Sequence, residues 1–251
     1  MARFSPVSTL WMRHALPNAV TILAMFFGLT GLLYASQHQI VSAIACVLIS
    51  AVLDACDGRV ARATGTASKF GAELDSLSDV ACFGAVPAFL IYNWGLESYH
   101  GFGWLVCLLF AGAAALRLAR FNVASSANDR PSWMGHSFSG VPAPGGAFLA
   151  MTPIYLANSG ILTETRSAHF AMFFVPIVAG LMVSTWPTFS VKAISRKILR
   201  LLFLPSLIIA GVLLFGLATA PWFTLSVCAF IYIFTLPFSK IRFSIFERRN
   251  G

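Results

Sequence analysis

The chain has 251 residues, of which 58% are hydrophobic and only 10% are charged, and its mean hydropathy is +0.79. This composition excludes an ordinary soluble globular protein and indicates an integral membrane protein with several spans. A net charge of +8 would suit a nucleic-acid-binding protein, but the positions of the basic residues, described below, argue against nucleic acid as a partner.

Eight apolar segments approach the length of about 20 residues that a helix needs to cross a bilayer. In chain order they are residues 17–35, 40–60, 71–93, 101–121, 141–159, 168–187, 199–217 and 221–238. Prolines interrupt the fifth segment. Before the first, residues 5–14 mix apolar and basic residues with a tryptophan, which predicts a short helix in the membrane interface. The expected fold is all-α: one domain, residues 1–251, forming a polytopic bundle of about eight transmembrane helices.

The basic residues alternate between the connections of these spans. Sixteen of the 17 lysines and arginines lie before the first span, after the last, or in the connections that follow spans two, four and six, whereas Arg166 alone lies on the opposite side. The positive-inside rule then places both termini on the cytoplasmic side, together with the connection after span two. The positive charge is therefore a topology signal, and the expected environment is a bacterial inner membrane.

The acidic residues are concentrated in one short stretch. Five of the nine lie within residues 53–81, namely Asp54, Asp57, Glu73, Asp75 and Asp79. Helical spacing puts the first two aspartates on one face with Gly58 and Ala61, and puts the last two on one face with Gly71. The connection at residues 63–70 is short, so the two helices are expected to be antiparallel neighbours whose acidic faces converge.

Four converging carboxylates call for a cation between them. One carboxylate in mid-bilayer costs on the order of 3 kcal/mol on insertion scales, and four would also repel one another. All the candidate ligands are oxygens, which favours Mg²⁺ or Mn²⁺ over Zn²⁺, and four carboxylates can hold two such ions. Small residues on the same faces leave room for a ligand, and Arg62 follows nearby. These features together predict a site for a diphosphate.

The spacing of these residues resembles that of a known family. It reads D-x2-D-G-x2-A-R-x8-G-x3-D-x3-D and is similar, at every fixed position, to the motif of the CDP-alcohol phosphotransferases. The matching residues are Asp54, Asp57, Gly58, Ala61, Arg62, Gly71, Asp75 and Asp79. The resemblance implies a helical membrane enzyme with a six-helix core, usually homodimeric. Such an enzyme transfers a phosphatidyl or phospho-alcohol group from a CDP-linked substrate to a second alcohol and releases CMP.

The resemblance also implies roles for the motif residues. The four aspartates would bind two divalent ions, Mg²⁺ or Mn²⁺, and the fourth, Asp79, would act as the base. The CDP portion would contact Asp54, Gly58, Ala61, Arg62 and Gly71. The last two spans, near residues 199–238, are similar to a tail that many bacterial members carry.

Three further stretches bear on the acceptor alcohol. ELDSLSDVACFGAVPAFL from Glu73, LRLARFN from Leu116 and FSGVPAPGGA from Phe138 resemble the phosphatidylserine synthase branch of the family. They favour CDP-diacylglycerol and L-serine as substrates. Glycerol 3-phosphate, inositol phosphate or choline are alternative acceptors. A cation transporter is the alternative from another class, because intramembrane carboxylates mark those proteins too.

Some polar residues near the motif have no assigned role. Arg117 and Arg120 lie at the predicted cytosolic end of span four. They are expected either to anchor the helix at the membrane surface or to bind an anion. That anion would be the lipid diphosphate or the carboxylate of serine. Asn122 and His136 are weaker candidates. Glu73 is rotated off the aspartate face and is expected near the edge of the site or at the surface.

Overall fold

The structure, a computed structural model, describes residues 6–66, 68–126, 137–184, 187–189 and 203–250. For residues 6–16, 62–64, 125–126, 137–139, 187–189, 203–207 and 237–250 it describes the backbone path alone. The chain forms two compact units, Met1–Ala124 and Ser125–Gly251. The single domain expected from the sequence stays a prediction.

The described residues of the first unit are helical apart from short connections at residues 37–39, 65–66 and 68. It consists of α1 (Pro6–Ser36), α2 (Ile40–Thr64), α3 (Lys69–Asp79), a π-helical segment (Val80–Ala85), α4 (Val86–Ile91), a second π-helical segment (Tyr92–Leu96), a 3₁₀ turn (Glu97–Tyr99) and α5 (His100–Ser126). The chain changes direction at His100, whose φ of 49° is rare for a residue with a side chain. α3 to α4 and α5 are therefore two arms of a helical hairpin.

The second unit contains shorter helices and one small pair of strands. Its elements are β1 (Ser137–Ser139), α6 (Ala143–Ala150), α7 (Thr152–Asn158), α8 (Glu164–Val183), β2 (Pro187–Phe189), α9 (Phe203–Thr219) and α10 (Pro221–Asn250). The strands pair antiparallel, with Phe138 opposite Thr188. This three-residue ladder is a local departure from the all-α fold expected from the sequence, and the rest of the described chain is helical or connecting.

Four helical stretches in the described residues are long and apolar enough to cross a membrane. They are Pro17–Ser36, Ile40–Ala61, Lys69–Ala124 and Glu164–Val183. The third spans 56 residues and contains both predicted spans at 71–93 and 101–121. These helices confirm a helical membrane protein. The apolar parts of the last two helices, Ile208–Thr219 and Pro221–Leu236, are shorter than these four stretches. The count of eight spans stays a prediction.

Two predicted boundaries differ in the structure. From Pro6 onward, the predicted interfacial helix at residues 5–14 is not separate but part of α1, which runs without interruption to Ser36 with Pro17 inside it. The predicted span at 141–159 is divided between α6 and α7, with Met151 between them. Pro153 supplies a reason for that division, since its nitrogen cannot donate to the carbonyl four residues earlier.

Close packing around α1 holds the first unit together. A Cβ atom added to Gly31 would lie 3.2 Å from the carbonyl oxygen of Ala43 and 3.2 Å from Cβ of Cys46, so α1 and α2 approach closely there. A Cβ atom added to Gly28 would lie 2.9 Å from Cβ of Cys82. α1 therefore also packs closely against the π-helical segment. Among the residues of that segment, Phe83 is 1% exposed. The packing thus assembles α1, α2 and the arm that begins with α3.

Candidate active site

A tight connection joins α2 to α3. α2 ends where Gly65 takes the left-handed conformation, with φ 66° and ψ 23°, and the N–H of Thr66 donates to the carbonyl of Ala61 at 3.0 Å. Gly65 suits this position because it lacks a Cβ atom. α3 begins after Ser68, whose hydroxyl accepts a hydrogen bond from the N–H of Gly71 at 3.0 Å. The short connection is as the sequence predicts.

The aspartates of the two helices meet next to this connection. One carboxylate oxygen from each of Asp54, Asp57 and Asp75 lies within 4.8 Å of the other two. Asp57 is the most deeply buried, at 4% exposed, and the other two are half-buried. The structure therefore brings together three of the predicted metal ligands.

Asp79 joins this group from the last turn of α3. Its carboxyl group lies close enough to those of Asp54, Asp57 and Asp75 to interact with them electrostatically. Its Oδ1 atom is buried, and no residue in the described part of the chain donates a hydrogen bond to it. Two unit charges about 4 Å apart repel by roughly 4 kcal/mol at an effective dielectric constant near 20. Four carboxylates in this arrangement thus favour binding of cations.

The donor set suits a hard divalent cation. The grouped atoms are carboxylate oxygens, which Mg²⁺ and Mn²⁺ prefer. The nearby sulfur of Cys82 contacts the hydroxyl of Ser78 at 3.8 Å and the carbonyl of Ala24 at 3.9 Å instead. The geometry fits a divalent ion without selecting between magnesium and manganese.

The small motif residues have structural reasons as well as functional ones. A Cβ atom added to Gly71 would lie 3.1 Å from Oδ1 of Asn18 and 3.2 Å from Oγ of Ser68. Gly71 therefore makes room for an α1 side chain that the sequence did not suggest. Gly58 and Ala61 are half-buried on α2, and the side chain of Arg62 lies outside the described part of the structure.

The two arginines of α5 occupy different environments. Arg117 is half-buried, and its positive charge acts on the carboxyl group of Asp79. Arg120 is exposed. Of the two candidates, Arg117 is the one that the structure brings to the aspartates. His136 lies outside the described residues.

Glu73 and Asn122 are joined to each other. Nδ2 of Asn122 donates to Oε2 of Glu73 at 3.2 Å, and Oδ1 of Asn122 accepts from the hydroxyl of Ser76 at 3.1 Å. Glu73 is exposed and lies beside the aspartates on α3, at the edge of the site, where the sequence placed it. Its partner was not evident from the sequence, because the two residues are 49 positions apart.

Comparison with known proteins agrees with this geometry. The family model described as CDP-alcohol phosphatidyltransferase matches residues 14–189. The chain belongs to this family. A second model, CDP-alcohol phosphatidyltransferase 2, matches residues 202–237. This match covers all of α9 and the apolar half of α10, the region expected to resemble a bacterial tail.

Similar curated proteins come from bacteria and archaea. The CDP-diacylglycerol–serine O-phosphatidyltransferase of Helicobacter pylori is 37% identical over 186 residues, covering 73% of this chain and 75% of that protein. The enzyme of the same name from Mycobacterium tuberculosis is 37% identical over 180 residues, covering 72% and 63%. Archaetidylserine synthase of Methanothermobacter thermautotrophicus is 34% identical over 173 residues, covering 68% of each chain.

Proposed function

We propose that this protein transfers the phosphatidyl group of CDP-diacylglycerol to the hydroxyl of L-serine, giving phosphatidylserine and CMP. The observation that carries the proposal is the convergence of Asp54, Asp57 and Asp75 on one site, in a chain that resembles an enzyme named for serine over 75% of that enzyme's length. Family membership supports the reaction type, and the names of the relatives support the acceptor.

The aspartates would hold two divalent cations, Mg²⁺ or Mn²⁺. Asp54, Asp57 and Asp75 would bind the first, and Asp79 would help to bind the second. When bound, the cations would neutralise the diphosphate and stabilise CMP as the leaving group. The CDP portion would lie against Asp54, Gly58, Ala61, Arg62 and Gly71, as the family motif implies.

Asp79 is the proposed base. As the hydroxyl oxygen of serine forms a bond to the phosphorus that carries diacylglycerol, the bond from that phosphorus to CMP breaks and Asp79 accepts the hydroxyl proton. Its buried Oδ1, which receives no hydrogen bond from the described residues, is suited to accept one from the substrate. Positioning and charge neutralisation are expected to contribute more to the rate than proton transfer, because a carboxylate is a weak base.

Arg117 is the proposed ligand for the carboxylate of serine. Its guanidinium group acts on Asp79, so an anion bound to it would place the serine hydroxyl near the base, and a guanidinium can pair with a carboxylate through two hydrogen bonds. Exposed Arg120 would serve as an anchor among the headgroups at the membrane surface.

The proposed setting is a homodimer in the bacterial inner membrane. The alternation of basic residues supports eight spans, with both termini and the aspartates on the cytoplasmic side. CDP-diacylglycerol would keep its acyl chains in the lipid and extend its headgroup into the site.

The test is a transfer assay with purified protein, CDP-diacylglycerol, Mg²⁺ or Mn²⁺, and a panel of labelled alcohols. Serine alone is expected to be incorporated into lipid, with release of CMP. Incorporation only from glycerol 3-phosphate, inositol phosphate or choline would overturn the acceptor. Failure to bind CMP and to transfer to any alcohol would favour the transporter alternative.

A further inference from the structure

Asn122 lies where the two arms of the helical hairpin meet at their open end. Nearer the closed end, a Cβ atom added to Gly84 would lie 3.1 Å from Cβ of Ala114, so the arms are in close contact there. On α5, the buried residues Ala114 and Leu118 precede Asn122 at intervals of four. Asn122 therefore lies on the same face of α5 as these two residues but is half-buried, and its side chain makes a polar contact with α3.

The side-chain amide of Asn122 suits both of its partners. Glu73 offers a carboxylate, which only accepts hydrogen bonds, so it requires the NH₂ side of the amide. Ser76 directs its one hydroxyl proton toward the carbonyl side at 3.1 Å and shares it with the backbone carbonyl of Ala72 at 3.0 Å. The two hydrogen bonds engage both ends of one planar group, and the bond to Glu73 is strengthened by charge. Together they attach the last turns of α5 to the middle of α3.

Arg117 lies between these two attachments. On α5, Arg117 lies between Ala114 and Asn122. On the facing arm, Asp79 lies between Ser76 and Gly84. The electrostatic interaction of Arg117 with Asp79 thus acts between a packing contact on one side and the Asn122 hydrogen bonds on the other. Movement of the end of α5 would change the separation of these two charged groups.

We propose that Asn122 is a positioning residue for the acceptor. By joining α5 to Glu73 and Ser76, it sets the position of Arg117 relative to Asp79, and with it the affinity for an acceptor that carries a carboxylate. This inference rests on the proposed function, and it goes further by assigning a specificity role to Glu73, Ser76 and Asn122.

The test exchanges the two hydrogen-bonding groups. In Asn122→Asp, a carboxylate faces Glu73, and repulsion replaces the hydrogen bond. In Glu73→Gln, a weaker neutral hydrogen bond to Asn122 can still form. In the double variant, the amide introduced at position 73 can donate to the carboxylate introduced at position 122. Ser76 can still donate to the other oxygen of that carboxylate, and the total charge equals that of the wild type.

Steady-state kinetics with serine and CDP-diacylglycerol varied separately give the readout. We expect Asn122→Asp to raise the KM for serine roughly tenfold, since a charged hydrogen bond is lost. Glu73→Gln should raise it by about threefold or less. The double variant should return close to the wild-type value. The KM for CDP-diacylglycerol should change by less than about twofold in all three, because its binding does not depend on Arg117.

Two results would overturn the inference. One is a double variant no better than Asn122→Asp, and the other is an equal rise in both KM values, as general loosening of the bundle would produce. Glu97→Gln, at an exposed position in the 3₁₀ turn, is the matched control and should leave both values unchanged. If the wild type itself does not use serine, the proposed function fails before the variants are compared.

Discussion

The acidic cluster of the first unit and three buried hydroxyls of the second are polar groups in contrasting arrangements. In the first, the carboxylates of Asp54, Asp57 and Asp75 are gathered within 4.8 Å of one another. In the second, the hydroxyls of Thr152, Tyr155 and Ser167 are buried, and none of them has a hydrogen-bond partner among the described residues. Tyr155 instead packs its ring against Phe148, with 5.6 Å between the ring centroids.

The difference shows what burial of each kind of group demands. An unsatisfied hydroxyl costs about 1–3 kcal/mol, which a well-packed apolar region can tolerate. Converging carboxylates also repel one another, and only a bound cation or proton relieves that repulsion. Metal-dependent chemistry is therefore expected from the acidic cluster of the first unit. The three residues with buried hydroxyls in the second unit are expected to contribute to packing alone.

The strongest test of this contrast is Asp79→Asn. Turnover should fall by at least about a hundredfold, because the amide cannot accept the hydroxyl proton. CMP binding should persist, and its measurement shows that the variant is folded. Near-normal turnover would remove Asp79 from the role of base. Glu164→Gln, an exposed acidic position in the second unit, should retain wild-type activity.

Removal of a metal ligand should have an effect of similar size. Asp54→Ala is expected to lose roughly a hundredfold or more of its activity at a Mg²⁺ concentration that saturates the wild type, because one ligand is missing. Excess chelator should abolish activity of the wild type, and added Mg²⁺ or Mn²⁺ should restore it. Full turnover in chelator would contradict the metal site altogether.

A packing change in the first unit should affect stability rather than chemistry. In Gly28→Ala, the new methyl group would collide with Cys82, whose Cβ lies 2.9 Å from the added atom. Overpacking of this kind costs about 1–3 kcal/mol and should lower the melting temperature in detergent. The metal concentration for half-maximal activity should not change. Gly112→Ala on α5, where nothing lies within 4 Å, is the control and should not destabilise.

The smallest effect is expected from the second unit. Thr152→Val replaces a buried hydroxyl by a methyl group of the same shape and should raise stability by up to about 1 kcal/mol. Thr21→Val is the matched control in the first unit. There the hydroxyl donates to the carbonyl of Pro17 at 3.1 Å, so its loss should lower stability by roughly 1 kcal/mol. Equal effects in the two variants would show that the hydroxyl of Thr152 is satisfied.

Much of the site could be predicted from the sequence because it depends on local spacing. The aspartate faces follow from the helical repeat, and a connection of a few residues leaves antiparallel packing as the simple solution. The proximity of Gly71 to Asn18 could not be predicted, because it depends on how α1 packs against α3. That packing has no signature in the spacing of the motif.

The fold was less predictable where helices meet or end. The contact of Glu73 with Asn122 depends on the register of α3 against α5, and two π-helical segments, Val80–Ala85 and Tyr92–Leu96, intervene. A hydrophobic repeat of 3.6 residues does not reveal such segments. The β1 and β2 strands have three residues each, which is too short for an alternating pattern to be recognised.

The π-helical segment Val80–Ala85 has a consequence for chain length. Hydrogen bonds from residue i to i+5 make a wider turn than an α-helix, equivalent to one residue inserted into it. Deletion of one residue in this segment would let the helix close to the α form, and the aspartates would keep nearly the same rotation relative to α4, because the wider turn already takes up the extra residue. A deletion inside regular α3 (Lys69–Asp79) would instead turn the residues on its two sides by about 100° relative to each other. The π-helical segment is thus a place where the chain can lose a residue with its carboxylates still facing the site.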